Sequence, residues 1–287
     1  MLWKVSGMHS SDQLSRPIEW SARRWTRRLV LSVIVMSAFS VPALLIAAGG
    51  LVIGDPYIAK YGVLFSAFLL SAILMPVVAN ARRNRVRSIR TMEWNGVSAT
   101  VIEHSRIVFA VVTTFFLAGA GLCLSAAADI FRHGGGGGTI VLVILLSVFG
   151  CVVGFFLPMM LAGRIRRGRL VLTPNLIHQR GWSLESTLDW HSILTVRPVV
   201  LGNWAVVLLG HPAAQWERRA TVPRGLGWDG LPITPMIEVH CHMHPIDPVL
   251  LYSLLRFYLE NPGYRSELGT DAALERVKAR DFGDEHR

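Results

Sequence analysis

The chain has only three cysteines in 287 residues, Cys123 and Cys151 inside long apolar runs and Cys241 far downstream, so no disulfide framework is expected. Charge is scarce as well. Asp, Glu, Lys and Arg make up 17% of the residues, against about 25% in an ordinary soluble domain, while hydrophobic residues reach 52%. These shortages exclude a disordered chain, a collagenous one and a small disulfide-stapled domain. Acid is the scarcer charge, with 19 Asp and Glu against 29 Lys and Arg, and the imbalance lies in one half. Residues 1–169 hold 18 basic and 6 acidic side chains, whereas residues 170–287 hold 11 and 13. The excess of arginine borders apolar runs instead of covering a soluble domain, so it reads as a membrane-topology signal and no nucleic-acid partner is expected. Nucleophile-elbow, Walker, HExxH and dinucleotide fingerprints are all missing, which lowers the expectation of an enzyme.

What is abundant is uninterrupted apolar sequence. Four runs, 29–53, 62–81, 107–130 and 139–162, each approach or exceed the roughly 20 residues that cross a hydrocarbon core, with no charge in their interiors. They divide the chain into an N-terminal tail (1–28), a four-helix transmembrane region (29–165), a cytoplasmic domain (166–262) and a helical tail (263–287). Arg16, Arg23, Arg24, Arg27 and Arg28 precede the first run. Arg82, Arg83, Arg85, Arg87, Arg90 and Arg106 fill the second connection, and Arg164, Arg166, Arg167 and Arg169 follow the fourth. The first and third connections hold only Lys60 against Asp55 and Arg132 against Asp129. The positive-inside rule then puts both termini in the cytoplasm of a multi-pass protein of the cell membrane. The long polar leader argues against a cleaved signal peptide. Trp20 and Trp25 read as interfacial anchors, and Arg82, Arg83, Arg85, Arg164, Arg166 and Arg167 as contacts to an anionic membrane surface.

Shifting the membrane half by 82 residues places Pro76 on Pro158, Arg82 on Arg164 and Arg85 on Arg167, the pattern of a duplicated hairpin or of a coincidence of helix ends. A small transporter of paired hairpins is therefore an alternative, although no ionisable group sits at mid-membrane. Gly150 with Gly154, and Gly121 with Ser125, have the spacing of close helix packing, within the bundle or across a homodimer. The five glycines from Gly134 to Gly138 form a flexible connection and not a phosphate cradle.

Between the second and third runs, Trp94-Asn95-Gly96-Val97 and the β-prone stretch after it predict a small hairpin, either solvated or packed against the following domain. From Gly168 onward short strands alternate with turns: 170–172, 176–180, 186–190, 194–200, 204–209 and 236–244, with a long irregular loop over 210–235. Asp247 and Pro248 open a helix carrying Leu250, Leu251, Leu254, Leu255 and Tyr258 on one stripe, stopped by Asn261-Pro262-Gly263. A second short helix runs from a Thr270 cap to about Arg280.

This strand series closed by one helix resembles the bacterial PH-like domain of multi-pass membrane proteins. The likeness is carried by Leu170-Val171-Leu172-Thr173-Pro174-Asn175-Leu176-Ile177 and by Leu188-Asp189-Trp190-His191-Ser192-Ile193-Leu194-Thr195-Val196. It covers about residues 168–262. The arginine-rich membrane half with its 250–274 tail also resembles actinobacterial membrane proteins. The resemblance implies an α-helical membrane bundle followed by an α+β PH-like domain, an antiparallel sheet or barrel with a C-terminal helix. It also implies binding of a protein or lipid partner rather than catalysis. The insertion at 210–235 departs from a compact example.

The sharpest chemical pattern is Glu238-Val239-His240-Cys241-His242-Met243-His244. On a continuous strand, Glu238, His240, His242 and His244 would share one face, able to bind zinc or simply to line the solvated side of a half-buried strand. Cys241 would point the other way. His178 and His191 read as surface or turn residues.

Overall fold

The computed structural model describes residues 14, 16–21, 27–80, 88–134, 137–223 and 234–283. Arg82, Arg83, Arg85 and Trp25 lie outside the described residues. Four helices are long and apolar enough to span a membrane, with mean hydropathies of 2.3 to 3.0 and only 11% to 28% of their apolar windows buried. They are α1 (Arg27–Ile53), α2 (Pro56–Asn80), α3 (Arg106–His133), and α4 (Gly137–Gly154) continued by α5 (Phe156–Leu161). Side chains such as Leu31, Phe39, Leu45, Ile140 and Leu145 point outward and exposed, the reverse of a water-soluble bundle.

The second run starts six residues earlier than the hydropathy suggested. Asp55 Oδ1 accepts from the Tyr57 and Ile58 amides (2.8 and 3.1 Å), and Pro56 occupies the first helical position, where its missing N–H costs nothing. The fourth run is broken at Phe155 because Pro158 lacks an N–H and its ring crowds the Gly154 carbonyl four residues back. The helices pack in chain order, α1 on α2, α2 on α3, α3 on α4. Where α1 and α2 cross, backbones touch: a Cβ on Gly62 would lie 2.6 Å from Ala47 Cα. Gly121 faces Leu64, and Gly150 faces Leu124 and Cys123, so the small residues singled out in the sequence are used inside the bundle.

The remaining strands make two antiparallel sheets. The larger has the order β1 (Ile89–Trp94), β2 (Val97–Glu103), β3 (Arg169–Leu172), β4 (Leu176–Arg180), β5 (Leu184–Asp189) and β8 (Trp216–Ala220). The smaller is β6 (Ile193–Leu201), β7 (Asn203–Gly210) and β9 (Met236–His240). The expected barrel does not close. After β5 the 3-10 turn Trp190–Ser192 buries Trp190, whose Nε1 donates to the Thr173 carbonyl (2.8 Å), and the chain leaves the first sheet there. The loop expected over 210–235 contains β8. Its run of Glu217, Arg218 and Arg219 hides a strand that pairs with β5 at the sheet edge, where charge is tolerated.

The hairpin between α2 and α3 is part of the larger sheet: Thr100, Val101, Ile102 and Glu103 of β2 pair with Leu172, Val171, Leu170 and Arg169 of β3. Both sheets and helix α6 (Pro248–Glu260) enclose one core of Ile102, Leu170, Leu188, Leu208, Val239, Leu251 and Leu255. Asp247 caps α6 through the Val249 amide (2.8 Å). At its other end Arg265 is buried and donates to the Tyr258 and Leu259 carbonyls (2.7 and 3.1 Å). Helix α7 (Asp271–Ala279) packs against β1, and just before it the Gly269 amide donates to Thr100 Oγ1 of β2 (2.9 Å). Thr270 precedes α7, but its hydroxyl donates to the Glu267 carbonyl instead of capping the helix. Trp20, expected at the membrane interface, is fully buried in this domain, stacked on Trp204 at 5.4 Å with its Nε1 donating to the Val199 carbonyl. Its ring offers a large apolar area whose one polar atom is satisfied there.

The α1–α2 contact yields a test. Gly62→Leu should force the helices apart and lower the thermal stability of the detergent-solubilised protein by about 1–3 kcal/mol, whereas Gly49→Leu, whose side chain meets open space, should change it little.

Candidate functional site

The domain joins the bundle at a seam where β2 leads into α3, α5 leads into β3, and β9 ends. Here the histidine pattern is rearranged. β9 stops at His240, and Cys241–Met243 form a 3-10 turn, so His242 and His244 do not continue the strand face that Glu238 and His240 share. His240 and His242 rings lie 5.7 Å apart, and His244 instead meets His104 edge to face at 4.6 Å. Among the described residues, no three His, Cys, Asp or Glu side chains gather closely enough to hold a metal ion. The Glu238 carbonyl accepts from Gln179 Nε2 (2.6 Å), a bridge between the two sheets.

His104 gave no signal in the sequence, because nothing in the residues before a membrane run announces a partner 140 residues away. Its amide donates to the Gly168 carbonyl (2.9 Å), and the next amide, of Ser105, donates to the Met243 carbonyl (2.6 Å). The ring is packed so tightly that a Cβ on Gly168 would lie 2.3 Å from its Cε1. Buried Nδ1 atoms of His104, His240 and His242, and both ring nitrogens of His244, have no hydrogen-bond partner among the described residues. Burial first, then the neighbouring histidines, pushes His104 down from 6.5 to about 3 and His242 to about 4, and holds His244 well below the ordinary value. His104, His242 and His244 are thus neutral at physiological pH.

A second feature lies at the same end of the bundle. Gly163, in the left-handed region (φ 68°), turns the chain out of α5. Ile165 then plugs into an apolar cluster with Val108, Phe156 and Trp182, and its neighbours Arg164 and Arg166 are exposed. Arg167 pairs with Glu103, which also pairs with Arg90. Across the outer face of the larger sheet, register aligns Glu103, Arg169, Arg180, Glu185 and Arg219 in one row. Arg180 reaches Glu185 (3.1 Å) and the Gly163 carbonyl (3.3 Å). Around it opens a cavity of about 450 Å³ lined by Arg164, Arg166, Arg180, Arg219, Glu185, Gly163, Ala220 and Thr221. Of the predicted surface arginines, Arg164 and Arg166 enter this cavity, while Arg167 is engaged by Glu103.

A larger groove, about 940 Å³, crosses the outer sheet face between Trp94 of the β1–β2 hairpin and Trp216 to Arg219 of β8. His178 lies in it, its Nδ1 2.9 Å from Thr187 Oγ1 and its ring 5.0 Å from Trp94. Within the helices, Lys60 and Asp129 pair at 2.5 Å at the end of the bundle away from the sheets, with Tyr61 Oη donating to the same carboxylate (2.7 Å). They lock α2 to α3.

Comparison with family models, with curated proteins and with solved structures gives no match.

His104, His242 and His244 set the acid response. Their folded-state pKa values are depressed, so above about 6.5 folded and unfolded chains are both neutral. As pH falls below 6.5 the unfolded chain takes up protons first, and stability is lost down to the folded values near 3 to 4. At pH 5 the loss is ~2 kcal/mol for each such histidine. Thermal unfolding in detergent should show a midpoint that falls steadily from pH 7 to pH 5. The slope should be shallower in His104→Phe/His244→Phe; an unchanged slope would assign acid lability elsewhere.

Proposed function

We propose that the chain is a non-enzymatic integral membrane protein whose composite sheet domain receives a partner at the inner face of the cell membrane. In this reading the four helices cross the bilayer, both termini are cytoplasmic, and the domain is an opened relative of the PH-like fold. Supporting the orientation, the arginine-rich stretches adjoin in sequence the start of α1, the end of α2 and the end of α5, the helix ends from which the chain passes to the sheet domain. The carrying observation is the composite sheet itself. Trp20 before α1, the β1–β2 hairpin between α2 and α3, and β3 after α5 all enter one domain, so it is tied to the bundle several times over and held close to it.

A domain held in that way is suited to present a fixed surface, and the groove between Trp94 and Trp216 is the most developed one described. The Trp94 indole supplies an apolar anchor, and Glu185, Glu217, Arg218 and Arg219 supply charge of both signs. β8 pairs only with β5 among the described residues, so its far edge offers main-chain groups to an extended segment of a partner protein.

A photocrosslinking residue at Thr187, inside the groove, should give a discrete protein adduct in native membranes, and one at exposed Leu194 of β6 should not. Trp94→Ala should reduce the Thr187 adduct about tenfold, the loss expected for one aromatic anchor. Equal labelling from both positions would reject the groove as the partner surface.

A further inference from the structure

We propose that the cavity between Arg164, Arg166, Arg180 and Arg219 is a binding site for a phosphate group, presented by the headgroup of an anionic lipid in the adjoining leaflet. The inference rests on the reading that this end of the bundle lies at a membrane surface, and it names a ligand for that surface.

Four guanidinium groups surround the cavity and one carboxylate, Glu185, opposes them. Glu185 is already engaged by Arg180 at 3.1 Å, and no described carboxylate pairs with Arg164, Arg166 or Arg219. Four like charges share one counter-charge, an arrangement that an incoming anion relieves. Two polar atoms of the wall are buried without a hydrogen-bond partner among the described residues, Arg180 Nε and Thr221 Oγ1. Both can donate, so a small side-chain shift toward the cavity would let a phosphate oxygen accept from each without displacing an existing bond. Arg180 is fixed from behind by the Gly163 carbonyl and Glu185, so its orientation is set before any ligand arrives.

Placement selects the source of the phosphate. Arg164 and Arg166 follow the last turn of α5 by three and five residues, and Ile165 between them is anchored against Val108 and Phe156 of the membrane helices. The cavity therefore lies next to the ends of the apolar helices, where lipid phosphates sit in a bilayer. Basic pockets at that level suit anionic headgroups. Arg219 comes from β8, so a bound headgroup would bridge the end of the bundle and the edge of the sheet.

The test uses the full chain purified in detergent and titrated separately with phosphatidylglycerol, phosphatidylcholine and inorganic phosphate. Binding is read by native mass spectrometry and thermal shift. Wild type should prefer phosphatidylglycerol to phosphatidylcholine. Arg180→Gln and Arg219→Gln should each weaken phosphatidylglycerol about tenfold, the scale of one charge-assisted hydrogen bond. Arg256→Gln, on α6 and paired with Glu260, should not change it. Arg219 is exposed on an edge strand, so its variant keeps the test decisive if Arg180→Gln fails to fold. Saturation by inorganic phosphate with the same dependence on Arg219, and no preference among lipids, would keep the phosphate site and assign it a soluble ligand. Equal phosphatidylglycerol affinity in wild type and Arg219→Gln, or no binding of any probe, would overturn the proposal. Release of the chain from membranes by alkaline carbonate would defeat the membrane reading alone, leaving the phosphate titration to decide the cavity.

Discussion

Everything in this molecule hangs on one strand ladder, the four antiparallel pairs between β2 and β3. The two strands are separated in sequence by the whole of α3, α4 and α5, so the ladder forms only if that helical hairpin leaves and returns at the same end of the bundle. Its middle is apolar and closed to water, with Val101, Ile102, Leu170, Val171 and Leu172 all fully buried. Trp20 imposes the same condition on α1 and α2, since its burial against Trp204 brings the residues before α1 to the same domain. That α1 with α2, and α3 with α4 and α5, each run out and back to the sheet end of the bundle follows from these contacts without any appeal to charge.

Much of this architecture was legible in the sequence because it rests on local signals. Apolar runs free of charge announce long helices, and Asp247-Pro248 with a leucine stripe announces α6 to the residue. The Asn95-Gly96 turn announced the hairpin, and both residues adopt positive φ. What local reading missed depends on distant partners. β8 hid behind its charges because its stability comes from pairing with β5 and not from its own composition. Trp20 looked like an interfacial anchor because a tryptophan among arginines fits that role until the β6–β7 surface that buries it is known. The strand expected over 236–244 stops four residues earlier, at His240, since alternation cannot show where a strand stops.

The candidate sites follow the same division. Arg164 and Arg166 stood out by position after an apolar run, yet Arg180 and Arg219 join them only through register across three strands. Likewise His240, His242 and His244 were visible as a motif, but the partner that matters to His244 is His104, brought in by β2. Both features sit at the seam, where hydrophobic helices give way to a hydrogen-bonded sheet. The seam combines a tightly packed histidine cluster on the inside with an arginine cavity on the outside. The first makes the joint intolerant of acid, and the second gives it an affinity for anions.

The most direct test of the account is the sidedness of single cysteines, in a background lacking Cys123, Cys151 and Cys241, to a membrane-impermeant maleimide in sealed vesicles. Cysteines at Asn95, in the β1–β2 turn, and at Gly202, between β6 and β7, should label from one side only. Cysteines at Gly54, between α1 and α2, and at Gly134, after α3, should label only from the other. Labelling of position 95 from the opposite side to position 202 would contradict the composite sheet, and the rest of the account with it.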